Sequence, residues 1–132
     1  MWASLSRVSP RMRTACFEPQ ILTNKGNELM TREENLKEIL SQDPTNAFAR
    51  YGLAMEYAKS GQTDQALQEF GRLLSANPDY AAGYFMAAQT LAKADRVEEA
   101  KEMLRNGIQA AARKGDSHAQ SEMQGMLEDI SE

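Results

Sequence analysis

Shifted by 34 residues, the middle of this chain falls on itself. Tyr51 lands on Phe85, Leu53 on Ala87, Ala54 on Ala88, Tyr57 on Leu91, Ala58 on Ala92 and Lys59 on Lys93. Further on, Ala66 meets Ala100, Phe70 meets Leu104, Leu74 meets Ile108 and Ala76 meets Ala110. A period of that length belongs to architectures in which one supersecondary unit stacks on the next, because a single unit cannot bury its apolar face alone. Stepping backwards, the same offset lays Leu36 under Phe70, Ile39 under Leu73, Leu40 under Leu74 and Pro44 under Pro78. Half a unit therefore precedes the first full one.

Each unit reads as helix, turn, helix. Leu53, Ala54 and Tyr57 share one helical face; Gly61, Gln62 and Thr63 interrupt it, and Ala66, Phe70, Leu73 and Leu74 resume at helical spacing. Gly61 can take positive φ at a helix end, Thr63 is expected to cap the next helix, and Asn77 before Pro78 ends it. In the second unit Asp95, Arg96, Val97 and Glu98 read as a capping box, as do Thr31, Arg32, Glu33 and Glu34 ahead of the half unit. Ala54, Ala66, Ala88 and Ala100 are small enough for paired helices to approach closely, with Tyr57, Phe70, Leu91 and Leu104 filling the space between.

The ends of such a stack must be apolar on one side only. Residues 31–41 place Leu36, Ile39 and Leu40 on one narrow face. Near the other end Ala119, Met123, Met126, Leu127 and Ile130 lie opposite Ser117, Gln120, Ser121, Gln124 and Glu128, after a one-residue insertion near Lys114 and Gly115. The expected fold is all-α, with antiparallel helix pairs, about six helices in all, and polar-faced terminal caps. Residues 30–132 form the repeat domain: a half unit at 31–44, full units at 47–80 and 81–114, and a capping helix at 116–130.

At Leu53, Ala54, Tyr57, Gly61, Ala66, Phe70 and Pro78 the first unit resembles the tetratricopeptide repeat, with Arg50 where that family has Trp and Ala54 where it has Gly. In the second unit Tyr84, Ala88, Ala100 and Leu104 match, while Asp95 stands for the Gly and Ala112 for the Pro. The resemblance covers about residues 36–127 and implies a right-handed α-solenoid whose first helices line a concave groove for protein ligands. It places Phe48, Tyr51, Met55 and Lys59 of the first unit, and Ala82, Phe85, Met86, Gln89 and Lys93 of the second, on that groove. Core packing is the competing reading for Phe48 and Tyr51, since aromatic side chains at helical spacing are commonly buried. Flexible thioethers suit Met55 and Met86 to adaptable apolar recognition.

Some family members clamp a partner's carboxylates with Lys, Asn and Arg. This chain has Tyr51, Met55, Met86, Asp116 and Gln120 at those positions, so an apolar or amphipathic segment is the expected ligand. The leading reading is a protein-protein interaction module, an adaptor or scaffold. The alternative is a self-associating structural domain whose homo-oligomer is the functional unit.

Composition narrows the field further. Residues 1–29 carry a charge balance of +2, and the rest holds 11 basic and 17 acidic side chains, a balance of −6. So acidic a body lacks the electrostatic attraction that drives nucleic-acid binding. No apolar run approaches the roughly 20 residues of a membrane helix. The single Cys16 favours a reducing cytoplasm over a disulfide-forming compartment. Residues 1–29, broken by Pro10 and Pro19, read as a disordered extension; Met30 as a true start and an organelle transit peptide are the other readings.

Candidate chemistry is thin. His118 and Glu122 share a helix face without a third metal ligand, Cys16 lacks a His partner, and Glu98 with Glu99 suits a helix's first turn. The sequence thus predicts neither enzyme activity nor a cofactor or metal.

Overall fold

A computed structural model describes residues 30–132. Among them six helices follow one another through short turns: α1 (Arg32–Gln42), α2 (Ala47–Lys59), α3 (Thr63–Ala76), α4 (Ala81–Lys93), α5 (Val97–Lys114) and α6 (Ser117–Ile130). The readings made for residues 1–29, Cys16 included, lie outside the described residues. Each helix packs on the next in sequence; in addition α2 touches α4, and α4 touches α6. That is the pattern of helix pairs stacked one on another, an all-α repeat architecture of tetratricopeptide type.

The close approaches fall on the small residues. Ala54, Ala66, Ala88 and Ala100 have no exposed surface, and Tyr57, Phe70, Leu91 and Leu104 are buried around them. A fully buried Leu or Phe side chain contributes about 1.5–3 kcal/mol over leaving it in water. One apolar cluster joins Leu36 and Leu40 of α1 to Leu53, Tyr57, Phe70 and Leu73; a second joins Ala81, Ala88, Leu104, Ala111 and Met123. Ile39 departs from expectation and is 43% exposed. As an end helix α1 leans on α2, and Leu36 and Leu40 already fill that narrow contact.

Gly107 sets the second cluster's spacing. A Cβ there would sit 2.6 Å from Cβ of Tyr84 and 2.5 Å from Sδ of Met123. Only a bare backbone lets α5 come this near to α4 and α6.

Caps and turns fix where helices begin. The Asn46 side chain accepts from Ala49 N at 2.9 Å and that of Asp116 from Ala119 N at 3.0 Å, closing the first turns of α2 and α6. Thr63 is not a cap: it is the first residue of α3, and Gln62 in the cap position makes no side-chain capping bond, its amide donating instead to Ser60 Oγ at 2.7 Å. The Asp95 box is also absent. α5 starts at Val97, which leaves Asp95 one place outside the cap, where it takes φ 65. Gly61, its repeat equivalent, has φ 83, so Asp95 does the glycine's work in the turn; Asp is among the few residues with side chains that tolerate this region.

The family's Trp position has a physical reading here. Arg50 donates from Nη2 to the Pro44 carbonyl at 3.2 Å, and Tyr84 donates from its hydroxyl to the Pro78 carbonyl at 2.9 Å. Arg, Tyr and Trp are all large side chains with a polar hydrogen far from the backbone. Arg50 has a second role, pairing with Oε1 of buried Glu69 at 2.6 Å, while Arg72 holds Oε2 at 2.7 Å. A buried carboxylate is tolerable because both its oxygens are satisfied.

Candidate functional site

α2 presents one face along its whole length, α4 adds the second half of its own, and α1 adds the first half of its own. Together they enclose a cavity of about 660 Å³. Seven of the nine groove residues named from sequence line it: Phe48, Tyr51, Met55 and Lys59 from α2, with Met86, Gln89 and Lys93 from α4. They converge because residues three, four or seven apart share a helix face, and because Met55 and Lys59 of α2 stand in repeat register with Gln89 and Lys93 of α4.

Ala82 and Phe85 do not line the cavity. Ala82 is exposed, and half-buried Phe85 packs on the second apolar cluster with Met123 and Leu127. Here α6 packs on α4, as α4 packs on α2. The sequence reading also missed Arg32, Leu36, Gly52, Glu56 and Thr90. A Cβ on Gly52 would meet Leu36 at 3.2 Å, so this glycine lets α1 come close at the cavity's edge.

The aromatic residues divide. Phe48 is 74% exposed and belongs to the cavity wall, not the core. Tyr51 is half-buried; its ring meets Phe70 edge-on at 6.4 Å and Tyr80 at 5.6 Å. Burial, with a further contribution from Tyr80, raises the Tyr51 phenol above its ordinary value and keeps it neutral. Tyr51 is thus a fixed part of the wall, with Met55 and Met86 as the adaptable part.

Charge is confined to one end. Arg32 Nε lies 3.0 Å from Glu56 Oε2, and Lys59 Nζ lies 3.7 Å from the same oxygen. Lys93, the repeat equivalent of Lys59, has no carboxylate partner among the described residues. Phe48 stands eleven residues before Lys59 on α2, about 16 Å along the axis. The cavity therefore runs from an aromatic end to a cationic end.

The remaining candidate groups are engaged elsewhere. His118 Nε2 is 3.5 Å from Glu122 Oε2 on an exposed face of α6. Glu98 pairs with Lys101, Glu99 with Arg96, and the Asp116 carboxylate caps α6. Among the described residues no group of three His, Cys, Asp or Glu side chains could hold a metal ion, and no helix is long and apolar enough to cross a membrane.

Known proteins share this fold. A TPR repeat-containing protein of Pseudomonas aeruginosa is 29% identical over 90 residues, spanning 68% of this chain and 86% of its own length. The solution structure of a tetratricopeptide repeat domain protein from Salinibacter ruber aligns at a TM-score of 0.63 with 31% identity, covering 67% of this chain and 89% of that one. The crystal structure of PcrH in complex with the chaperone binding region of PopD aligns at 0.70 with 17% identity, over 99% of this chain and 93% of the other, a likeness of fold. Two models of the tetratricopeptide repeat match residues 57–122 and 35–68. With the period, the stacked pairs and these matches in agreement, the chain belongs to the tetratricopeptide repeat family.

Proposed function

We propose that this chain is a protein-binding module that holds an apolar or amphipathic segment of a partner protein in the cavity between α1, α2 and α4. The observation that carries this reading is Phe48. A phenylalanine left 74% exposed at the mouth of a 660 Å³ cavity, with Met55 and Met86 inside it, is apolar surface that a ligand would remove from water. Membership of a family of helical repeats supports it, as does a structure of the same fold, PcrH, in complex with the binding region of PopD.

The test uses the full chain as bait in an extract of its native cell, beside a Met55→Glu, Met86→Glu variant. Circular dichroism should find the variant's helicity unchanged, since both side chains are only half-buried. A partner captured by the parent and lost by the variant supports the module. A partner retained by the variant rejects the cavity, and capture of the chain's own copies alone favours self-association.

A further inference from the structure

The body of this protein is acidic, yet its cavity is not. Residues 30–132 carry 11 basic and 17 acidic side chains. The cavity, by contrast, is lined by Arg32, Lys59 and Lys93 against the single carboxylate of Glu56. All three cations stand at one end: Lys59 and Lys93 are the last residues of α2 and α4, and Arg32 opens α1 and reaches Glu56 near the end of α2. One shared carboxylate leaves that end with a net positive charge. Lysine at a helix C-terminus also complements the helix dipole, but that role does not require α1 to bring an arginine to the same place.

We propose that the segment held in this cavity is amphipathic and acidic at one end. Its apolar side chains lie against Phe48, Met55 and Met86, and its carboxylates lie against Lys59, Lys93 and Arg32. The proposal rests on the cavity being the binding site and adds the chemistry and direction of the occupant. The separation of Phe48 from Lys59 sets the distance between the two parts of the ligand at about 16 Å, which is about eleven residues of helix or about five of extended chain. Electrostatic complementarity of this kind fixes register and partner choice, because the reversed orientation leaves the ligand's carboxylates against an aromatic wall.

A library of random 14-residue peptides displayed on phage, selected on the full chain, tests this without assuming a partner. Peptides enriched on the parent should combine an apolar cluster with two or more Asp or Glu residues toward one end. Replacing those acids by Gln or Asn in a synthetic copy should weaken binding about tenfold. A Lys59→Glu, Lys93→Glu variant, folded by circular dichroism because both lysines are exposed, should select peptides with basic residues at that end. Enrichment of neutral or basic peptides on the parent overturns the charge assignment; if the Met55→Glu, Met86→Glu variant enriches none of them, the cavity stands as the binding site. No enrichment on the parent overturns the acidic occupant, and the cavity itself is then judged by the capture experiment alone.

Discussion

The pair α2–α3 and the pair α4–α5 occupy the same place in the repeat, yet they lock their helices together by different means. In the first, Arg50 reaches across to a buried Glu69 that Arg72 also holds. In the second, the same two positions are Tyr84 and Met103, and Gly107 lets α5 close on Tyr84. The frame common to both is the set of buried alanines and the large apolar residues between them. What fills the remaining positions is negotiable, provided that the Trp-position side chain still reaches the preceding proline's carbonyl, as Arg50 and Tyr84 both do.

The largest expected effect comes from breaking the charged lock. Glu69→Ala strands the Arg50 guanidinium, only 20% exposed, without its carboxylate, and should cost about 3 kcal/mol in urea unfolding. Transplanting the second unit's solution with Arg50→Tyr, Glu69→Met should recover most of that, since an apolar pair of similar size commonly matches a buried ion pair. If the double variant is as unstable as Glu69→Ala, the two locks are not interchangeable and each unit is tuned to its neighbours.

Two glycines on the second helices sharpen the contrast. Gly107→Ala forces Tyr84 and Met123 apart, and the Tyr84 Cβ cannot swing away, so about 2 kcal/mol should be lost. Gly71→Ala, in α3, meets nothing within 4 Å and removes a flexible residue from a helix interior; it should gain about 0.5–1 kcal/mol. Equal effects at the two sites would mean that the Gly107 backbone is not in tight contact with Tyr84 and Met123.

Much of this frame is legible in the sequence, because burial repeats with the period: a residue such as Ala66 or Leu104 is recognised by its partner 34 places away. Seven cavity residues are legible because the family resemblance puts one face of each unit's first helix on the groove, and Met55 with Gln89 and Lys59 with Lys93 line it as partners 34 residues apart. Phe85 is not, since its fate depends on α6 arriving over α4, which the register with Tyr51 does not reveal. Arg32 and Leu36 escape because α1 aligns by period with the second helix of a unit, whereas the cavity draws on its N-terminal half. Glu69 looks like any surface acid; its burial depends on Arg50, nineteen residues away.

The turns differ as well. Gly61 and Asp95 hold equivalent left-handed positions, and only glycine adopts that region without steric cost. Asp95→Gly should raise stability by about 0.5–1 kcal/mol, and Gly61→Asp should lower it by a similar amount. A loss on Asp95→Gly would show that the aspartate contributes something to its turn beyond tolerating the backbone.

The smallest effect is a titration. Arg96 grips Glu99 through two hydrogen bonds of 2.7 and 2.8 Å, whereas the first unit has neutral Gln62 and Gln65 at those positions. The guanidinium's hydrogen bonds, with its charge adding, hold the Glu99 carboxyl below the usual glutamate value. A depressed folded value means that the pair stabilises the protein above the unfolded glutamate's titration range and that this contribution fades as pH falls through the folded value. Both side chains are well exposed, so salt should weaken the shift. Carbon-detected NMR of the Glu99 carboxyl should find it titrating lower in the folded protein than in the urea-unfolded chain, and Arg96→Gln, which copies the first unit's chemistry, should bring it back up. If Glu99 titrates alike in the parent and in the variant, the pair opens in solution and the second unit's first turn is held, like the first unit's, by its backbone and core alone.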